Sequence, residues 1–333
     1  MRIAVIGAGS WGTTLADLLV AGGHHVRLWA YEPEVVGSIN RSHVNELYLA
    51  DSRLAEALIA SADLAEAAGD AELLVSAVPS HAVRDVMARL AKAWNPERLR
   101  ATVSVSKGLE EGSLKTMTDV LRDVLPGSPA VALSGPSFAQ EVFARQPTAV
   151  VAASEVADAA ALVQQAFSSP TFRVYTSDDP LGVQLGGALK NVIAIAAGLL
   201  HGLRLGHNTL SALVTRGLAE LTRLGQAMGA SPMTFAGLAG MGDLILTATG
   251  ALSRNRALGI ELAEGRSLAE ILAGRRTVAE GVRTARAAVD LSARTGVELP
   301  IAQEVAHILF DGKRPDAAVR DLMERELKPE HWR

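Results

Sequence analysis

The sequence contains no cysteine, and aromatic residues make up only 4% of its 333 residues. Without cysteine the chain has neither disulfides nor thiolate metal sites, which gives secretion no support and fits a reducing compartment. A formal net charge of −4 provides no broad positive field for nucleic acid. The hydrophobic content of 49% suffices for a sizeable core, and the length favours two domains.

The sequence pattern predicts neither a targeting segment nor a membrane-spanning helix. The β-rich run at residues 2–6 follows the first residue directly, which leaves no room for a signal peptide, so we expect a cytoplasmic protein. The most apolar stretch, residues 181–200, carries Gln184, Lys190 and Asn191 in its middle. A membrane span would disfavour these polar groups, so this stretch is predicted to be a core helix.

Short β-rich runs alternate with helical patterns through the first half of the chain, which is typical of βαβ units and a parallel sheet. After the polar turn at residues 176–180 only long Ala- and Leu-rich helical patterns remain. We therefore predict an α/β, Rossmann-like doubly wound domain over residues 1–178 and an all-α domain over residues 179–333. The predicted strands are 2–6, 25–30, 71–77, 101–105, 130–133, 148–152 and 172–175.

A Gly-x-Gly-x-x-Gly motif follows the first predicted strand and opens a helix, as dinucleotide binding requires. Its glycines permit a tight turn, close approach of the pyrophosphate and close helix packing, and the helix N-terminus faces the phosphates. A plain tight turn is the alternative interpretation. The residues predicted to contact the cofactor here are Gly7, Gly9, Ser10, Trp11 and Gly12.

The second strand ends at Tyr31-Glu32, about twenty residues after the glycine loop, where an acidic group accepts from the ribose 2′-hydroxyl of NAD. An arginine nearby favours the 2′-phosphate of NADP instead, and Arg27 and Arg41 are both close in sequence. A glutamate at this point is also common on solvated surfaces. The choice between NAD and NADP stays open.

Lys190 is the one residue with a full formal charge between Asp179 and Arg204. Burial lowers the pKa of a lysine toward neutrality, which suits a general acid/base for a carbonyl and alcohol pair. A lysine that extends from an apolar helix to the surface fits the pattern equally well.

Other candidates have structural alternatives. Lys107 follows a predicted strand at the sheet edge where ligands bind, but could be a surface lysine. Residues 134–139 could bind an anion or form an ordinary capped turn. Asp243 could steady the Lys190 ammonium or cap a helix. The donors of Ser253-Arg254-Asn255 suit a phosphomonoester.

Eight segments spread over nearly the whole chain carry a family resemblance. They are Gly7–Gly12, Val78–Ser80, Ser106–Leu109, Ser134–Ala139, Gly182–Asn191, Thr215–Glu220, Gly240–Asp243 and Ser253–Asn255. With these segments together, the chain resembles bacterial NAD(P)-dependent glycerol-3-phosphate dehydrogenases. In that family the N-terminal domain binds the cofactor and the helical domain supplies most of the substrate site, which matches the division above.

The resemblance implies a role for each matching residue. It makes Lys190 the proton donor and acceptor, and it places Asp243 and Thr247 beside that lysine. Substrate contacts are implied for Lys107, Gly135, Ser137, Lys190, Asn191, Asp243, Thr247, Ser253, Arg254 and Asn255, with Arg254 and Asn255 on the phosphate. Cofactor contacts are implied for Tyr31, Lys107, Ala139, Arg254, Val278 and Glu280, in addition to the glycine loop.

The chain departs from the family at Tyr31-Glu32, where many members carry a basic residue before an acidic one, and at His207, where an acidic or small residue is common. The first departure blurs the coenzyme preference. None of the eight histidines fits a catalytic or metal motif, and no metal is expected.

The predicted reaction is hydride transfer between NAD(P)H and dihydroxyacetone phosphate, giving sn-glycerol 3-phosphate for phospholipid synthesis, and the family implies a homodimer. One alternative is a related two-domain dehydrogenase acting on a 3-hydroxy acid or a ketopantoate-like substrate. Another is a sensor that binds the dinucleotide without turnover. The phosphate-binding set at residues 253–255 argues against the first, and a sensor has no use for a buried lysine.

Overall fold

The computed structural model describes residues 1–94, 98–273 and 280–330. The chain divides into two compact units. The first contains Met1–Ala188 and Gly229–Asp243, and the second contains Leu189–Met228 and Leu244–Arg333. The predicted domain boundary after residue 178 stays a prediction.

The described residues form ten strands and sixteen α-helices. The strands are β1 (Arg2–Ile6), β2 (His25–Trp29), β3 (Val44–Asn45), β4 (Leu49–Arg53), β5 (Ile59–Ser61), β6 (Leu73–Ser76), β7 (Ala101–Ser104), β8 (Ala130–Ser134), β9 (Thr148–Ala153) and β10 (Phe172–Ser177). The helices are α1 (Ser10–Ala21), α2 (Pro33–Ser42), α3 (Leu64–Ala68), α4 (Val83–Ala93), α5 (Met117–Val124), α6 (Ala139–Phe143), α7 (Ala157–Phe167), α8 (Pro180–Gly202), α9 (His207–Ala227), α10 (Pro232–Phe235), α11 (Asp243–Thr249), α12 (Arg254–Ala263), α13 (Leu268–Ala273), α14 (Glu280–Thr295), α15 (Pro300–Phe310) and α16 (Pro315–Met323).

Eight strands form one sheet in the order β10-β9-β8-β7-β6-β1-β2-β5. The chain moves from β1 outward through β2 to β5, and then starts again on the other side of β1 with β6. This reversal is the topological switch point at which doubly wound sheets bind their ligands. The predicted Rossmann-like fold followed by helices is confirmed, and within the described ranges no strand follows β10.

Two details of the sheet differ from the sequence prediction. Strands β8 and β9 pair antiparallel, whereas a parallel sheet was expected. A parallel crossover usually needs a long helix, and the connection here contains only the five-residue α6, which packs against α1. Strands β3, β4 and β5 were also missed. Strands β3 and β5 have only two and three residues, and the mostly exposed β4 lacks an apolar run.

Both faces of the sheet are buried, as a largely parallel sheet requires. Ile3 and Val5 belong to one core cluster, while the alternate residues Ala4 and Ile6 belong to another. Successive side chains of a strand point to opposite faces, so β1 contributes to both clusters. Strand β1 is therefore buried on both faces up to its carboxyl end, where the glycine loop begins.

The helix α8 is long and apolar enough to cross a membrane, with a mean hydropathy of 1.5 over its most apolar window. All of that window is buried inside the protein. Gln184, predicted to disfavour a span, donates from Nε2 to the Thr118 hydroxyl at 2.7 Å and accepts the Thr118 N–H at 2.9 Å. The burial agrees with the predicted core helix.

In the second unit a buried carboxylate joins α9 to the start of α15. Glu220 accepts hydrogen bonds from the backbone N–H groups of Ile301 at 2.8 Å and Ala302 at 3.4 Å. Glu220 thus caps α15, whose own N-cap residue, Leu299, makes no side-chain hydrogen bond to the helix. Burial raises the pKa of Glu220 to about 7, against the opposing effect of these two N–H groups and of Arg223.

Glu220 makes the stability of the protein depend on pH. Its pKa rises from 4.5 in the unfolded chain to about 7 in the fold, so the folded protein binds more protons between these values. Its stabilising contribution is complete below about pH 4.5 and is lost as the pH rises through about 7, by roughly 3 kcal/mol. We expect Glu220→Gln to reduce the fall in melting temperature between about pH 5 and about pH 8.

The matched control for this prediction is Glu264→Gln, which changes an exposed glutamate of the same unit. This control should retain the pH dependence of the unmodified protein. Equal pH dependence of the melting temperature in the Glu220 variant and the unmodified protein would contradict the role of Glu220.

Candidate active site

The glycine loop joins β1 to α1 at the switch point, and its geometry excludes side chains at two positions. Gly7 has a φ of +118°, and a Cβ there would lie 2.7 Å from the Ala77 carbonyl oxygen. A Cβ at Gly12 would lie 1.9 Å from the Gly7 carbonyl oxygen. The tight turn and the close approach predicted from the motif are therefore both present.

The start of α1 suits the pyrophosphate of a dinucleotide. A Cβ at Gly9 would meet no atom within 4 Å, so the loop is open at this point. The N-cap residue Gly9 has no side chain, so no side-chain hydrogen bond caps the first turn of α1. Backbone N–H groups at such a helix start bind phosphate oxygens, helped by the helix dipole. The residues fit the group: Gly7, Gly9, Ser10, Trp11 and Gly12 would hold the cofactor's phosphates.

The segment around β3 holds the glycine loop through hydrogen bonds. The sequence prediction missed these bonds. The Nδ2 group of Asn45, a fully buried residue, donates to the Ala8 carbonyl and to the Thr13 hydroxyl, both at 2.8 Å. The Ser10 hydroxyl donates to the Tyr48 carbonyl at 2.8 Å. No periodic pattern marks these residues, because their partners lie more than thirty positions away.

Tyr31 and Glu32 lie just beyond β2. The Tyr31 side chain is 72% exposed and packs edge-on against Trp29. The Glu32 carboxylate accepts a hydrogen bond of 2.8 Å from the Tyr48 hydroxyl, so it is held rather than freely solvated. An ordered carboxylate is suited to accept from ribose hydroxyls.

Lys107, Gly135 and Asp243 come together in the first unit, although they are far apart in sequence. The Lys107 ammonium donates to the Asp243 carboxylate at 2.7 Å and to the Gly135 carbonyl at 2.9 Å. The Asp243 side chain is 1% exposed. The Ser137 hydroxyl also donates to the Gly135 carbonyl, at 3.0 Å. Four predicted substrate-site residues thus form one hydrogen-bonded cluster, and the surface alternative for Lys107 is wrong.

Asp243 follows a π-helical turn, Leu238–Gly242, and is the first residue of α11. Its Oδ2 atom is bound to Lys107, so the residue has a partner beyond the helix that it begins. That Asp243 also steadies Lys190 stays a prediction.

Ala139, a predicted cofactor contact, lies beside the helix of the glycine loop. It begins α6, and its carbonyl accepts a hydrogen bond of 3.3 Å from the Thr14 hydroxyl on α1. The structure thus brings the 134–139 segment next to the predicted dinucleotide site.

In the second unit Lys190 is buried in α8, with 5% of the residue exposed. Its ammonium donates to the Thr247 hydroxyl at 2.6 Å. The lysine therefore ends on a buried polar group, and the alternative in which it extends to the surface is wrong. Lys190 and Thr247 were both predicted site residues, and the structure places them in contact.

The predicted phosphate-binding residues lie at the start of α12. The Ser253 hydroxyl accepts the Arg256 N–H at 3.2 Å and so caps the helix. Arg254 is exposed, whereas Asn255 is buried and accepts the Gly281 N–H on Oδ1 at 3.1 Å. This bond leaves the Nδ2 end of Asn255, a pure donor, for a ligand.

Close packing brings the start of α12 and the start of α14 toward α8. A Cβ at Gly198 would lie 2.0 Å from the Arg256 carbonyl oxygen, so only glycine fits where α8 and α12 cross. A Cβ at Gly281 would lie 2.6 Å from Asn255 Oδ1 and 2.9 Å from the Asn191 carbonyl oxygen. Asn191, Asn255 and the predicted cofactor contact Glu280, which precedes Gly281, are therefore neighbours. Val278 lies outside the described residues.

Within the described ranges no three His, Asp or Glu side chains are grouped to hold a metal ion. A Rossmann-like domain with an open glycine loop, followed by helices that carry a buried lysine and a phosphate-suited donor set, defines the class of two-part nicotinamide-dependent dehydrogenases.

Family models narrow this class. The model described as NAD-dependent glycerol-3-phosphate dehydrogenase N-terminus matches residues 2–160, and the model of the C-terminus matches residues 179–320. The chain belongs to the NAD-dependent glycerol-3-phosphate dehydrogenase family, as the sequence resemblance predicted.

Individual relatives agree with the family models. The chain is 54% identical to glycerol-3-phosphate dehydrogenase [NAD(P)+] of Geobacter sulfurreducens, over 99% of both chains. It resembles the crystal structure of glycerol-3-phosphate dehydrogenase from Coxiella burnetii with a TM-score of 0.93 and 38% identity, over 97% of this chain and 99% of the other. The enzyme from Saccharomyces cerevisiae matches with a TM-score of 0.83 and 26% identity, over 98% and 99%.

Proposed function

We propose that the chain catalyses reversible hydride transfer between NAD(P)H and dihydroxyacetone phosphate, giving sn-glycerol 3-phosphate. Relatives over the whole length of the chain carry the name glycerol-3-phosphate dehydrogenase [NAD(P)+]. The single observation that carries the chemistry is the buried Lys190, whose ammonium meets the Thr247 hydroxyl at 2.6 Å. A lysine held in this way is placed to exchange one proton with a substrate oxygen.

Lys190 is the acid/base in this proposal. During reduction its Nζ donates a proton to the carbonyl oxygen of the substrate, and during oxidation it takes that proton back. The bound nicotinamide would supply the hydride. Thr247 orients the Nζ group through its hydroxyl, and Asn191, one residue further along α8, holds substrate.

Lys107 and Asp243 control the charge around the substrate. Because the Asp243 carboxylate is buried, its charge needs a partner, and Lys107 provides it at 2.7 Å. The remaining donor capacity of the ammonium is available to a substrate oxygen, since Lys107 carries three donors and the bonds to Asp243 and Gly135 use two. Gly135 and Ser137 complete this part of the substrate site.

Ser253, Arg254 and Asn255 bind the phosphate group. The Ser253 hydroxyl accepts in its cap bond, which leaves its proton for a phosphate oxygen. Arg254 offers a planar set of charged donors, and Asn255 offers its Nδ2 group. The site thus presents hydrogen-bond donors to a phosphate dianion. A ketopantoate-like substrate has no phosphate group.

The remaining cofactor contacts are proposed for Tyr31, Ala139, Lys107, Arg254, Val278 and Glu280, beside the glycine loop. We propose that the protein acts in the cytoplasm as a homodimer and supplies glycerol 3-phosphate for phospholipid synthesis. Both NAD and NADP agree with the names of the relatives.

Turnover with purified protein tests the proposal. NADH and NADPH oxidation should be followed by absorbance with dihydroxyacetone phosphate, with ketopantoate, and with dihydroxyacetone lacking the phosphate. We expect rapid oxidation with the first substrate only. Turnover of ketopantoate alone would select the rival dehydrogenase, and dinucleotide binding without any turnover would select the sensor.

A further inference from the structure

One carboxylate in the first unit joins the start of α8 to the segment that leads to Asp243. Oδ1 of Asp179 accepts the Gly182 N–H at 2.8 Å, which caps α8. Oδ2 accepts the Ser231 N–H at 3.0 Å and the Thr234 hydroxyl at 2.6 Å. The two oxygens thus have separate tasks, since Oδ1 caps the helix and Oδ2 binds residues 231–234.

The same segment meets α8 at a second point. A Cβ at Gly186 would lie 2.6 Å from the Ala239 carbonyl oxygen, so the backbones of α8 and of the π-helical turn are in direct contact. Gly182 and Gly186 lie four residues apart and therefore on one face of α8. The segment from Ser231 to Gly242 is held along this face by the Asp179 bonds at one end and by backbone packing at the other.

Asp243 comes directly after the π-helical turn, so the course of this segment sets the position of its carboxylate. The bond from Lys107 Nζ to Asp243 Oδ2 is 2.7 Å long. A displacement of Asp243 by about 1 Å would take the pair out of hydrogen-bonding distance. Catalytic sites lose rate steeply with displacements of this size.

We propose that Asp179 is a positioning residue, whose Oδ2 bonds to Ser231 and Thr234 hold Asp243 in place to pair with Lys107. The functional part of this inference rests on the proposed function, because it assigns the Lys107–Asp243 pair to the substrate site. Asp179 itself touches no substrate in this scheme. Its bonds act through the 231–242 segment.

Two substitutions separate positioning from simple helix capping. With its amide oxygen on the Gly182 N–H, Asp179→Asn keeps the cap, because asparagine is as good an N-cap as aspartate. Its amide nitrogen then faces residues 231–234, where it cannot accept the Ser231 N–H and no longer provides a charged acceptor for Thr234. Thr234→Val keeps the side-chain shape and the whole of Asp179, and removes one of the two Oδ2 bonds. The matched control is Asp178→Asn, which changes an exposed aspartate next to Asp179.

The first measurement does not require activity. Lysines of the folded protein are acylated under limiting reagent, and the extent at Lys107 is read by peptide mass spectrometry, with the exposed Lys115 as the internal reference. We expect Lys107 acylation to rise several-fold in both the Asp179 and Thr234 variants and not in the Asp178 control. Unchanged Lys107 acylation in the two variants overturns the proposal.

The second measurement is kinetic. We expect kcat with dihydroxyacetone phosphate to fall about tenfold to a hundredfold in the Asp179 variant, with NADH affinity unchanged. A capping role alone predicts a normal kcat in the Thr234 variant below its melting temperature, and normal kcat in both variants overturns the positioning role. If the unmodified protein has no turnover while Lys107 acylation responds as expected, the proposed function fails and the placement of Asp243 by Asp179 stands. Should the Asp179 variant not fold, the Thr234 variant decides.

Discussion

Replacing Lys190 with alanine is expected to lower kcat for dihydroxyacetone phosphate reduction by on the order of 10²–10⁴-fold, with dinucleotide affinity unchanged. The reason is that the substitution removes the one proton donor assigned to the reaction, whereas the glycine loop around Gly9 stays intact. Lys190 lies in the interior with its ammonium on Thr247, so no bulk-water proton replaces it readily. Steady-state rates and NADH titration measure the two quantities separately.

Controls distinguish loss of chemistry from loss of structure. Lys190→Met keeps an unbranched side chain, one heavy atom shorter than that of lysine and without the ammonium, and should be as inactive as the alanine variant. Lys92→Ala changes an exposed lysine on α4 and should behave like the unmodified protein. Small primary amines added to the alanine variant should restore part of its rate. A Lys190→Ala protein with normal kcat would contradict the acid/base assignment.

The second large effect is expected at Arg254. Arg254→Ala should raise KM for dihydroxyacetone phosphate about 10- to 150-fold, because it removes charged hydrogen bonds worth about 1.5–3 kcal/mol. Arg254→Lys should recover only part of this loss, since an ammonium lacks the planar pair of donors. Initial rates over a range of substrate concentrations measure KM for each variant.

The matched control is Arg256, because it lies two residues further into α12 and carries the same charge. Arg256→Ala should leave KM within about twofold of the unmodified value. Dihydroxyacetone without the phosphate should be reduced equally poorly by the unmodified protein and by the Arg254 variant. A larger increase in KM for the Arg256 variant than for the Arg254 variant would contradict the assignment of Arg254 to the phosphate.

Much of the fold follows from local patterns. Short β-rich runs between helical patterns predicted the seven longest strands of the main sheet, because a strand buried on both faces is a nearly continuous apolar run. The glycine loop was also predicted from a local pattern, because its motif spans only six residues. The backbone geometry requires glycine at Gly7 and Gly12. The resemblance to a known family then supplied residue roles that local patterns left open.

Pairings between distant residues were beyond such patterns. Lys107 and Asp243 are 136 positions apart, and each had a plausible structural alternative until the fold brought them to 2.7 Å. Asp179 was read only as part of a polar turn, although it bonds residues up to 55 positions away. The direction of β9 also depended on where the chain packs after the short helix α6, rather than on the composition of β9 itself.

The amino-acid sequence by itself determined the Rossmann-like fold and the dinucleotide loop, because these depend on residue types at fixed short spacings. It marked Lys190 as a candidate, and the resemblance to the family implied its acid/base role. Only the tertiary structure decided that Lys190 ends on Thr247, that Lys107 pairs with Asp243, and that Asp179 bonds the segment before Asp243. The physical reason is that a hydrogen bond acts over about 3 Å in space, whereas its partners are set by the packing of the whole chain and not by their distance along it.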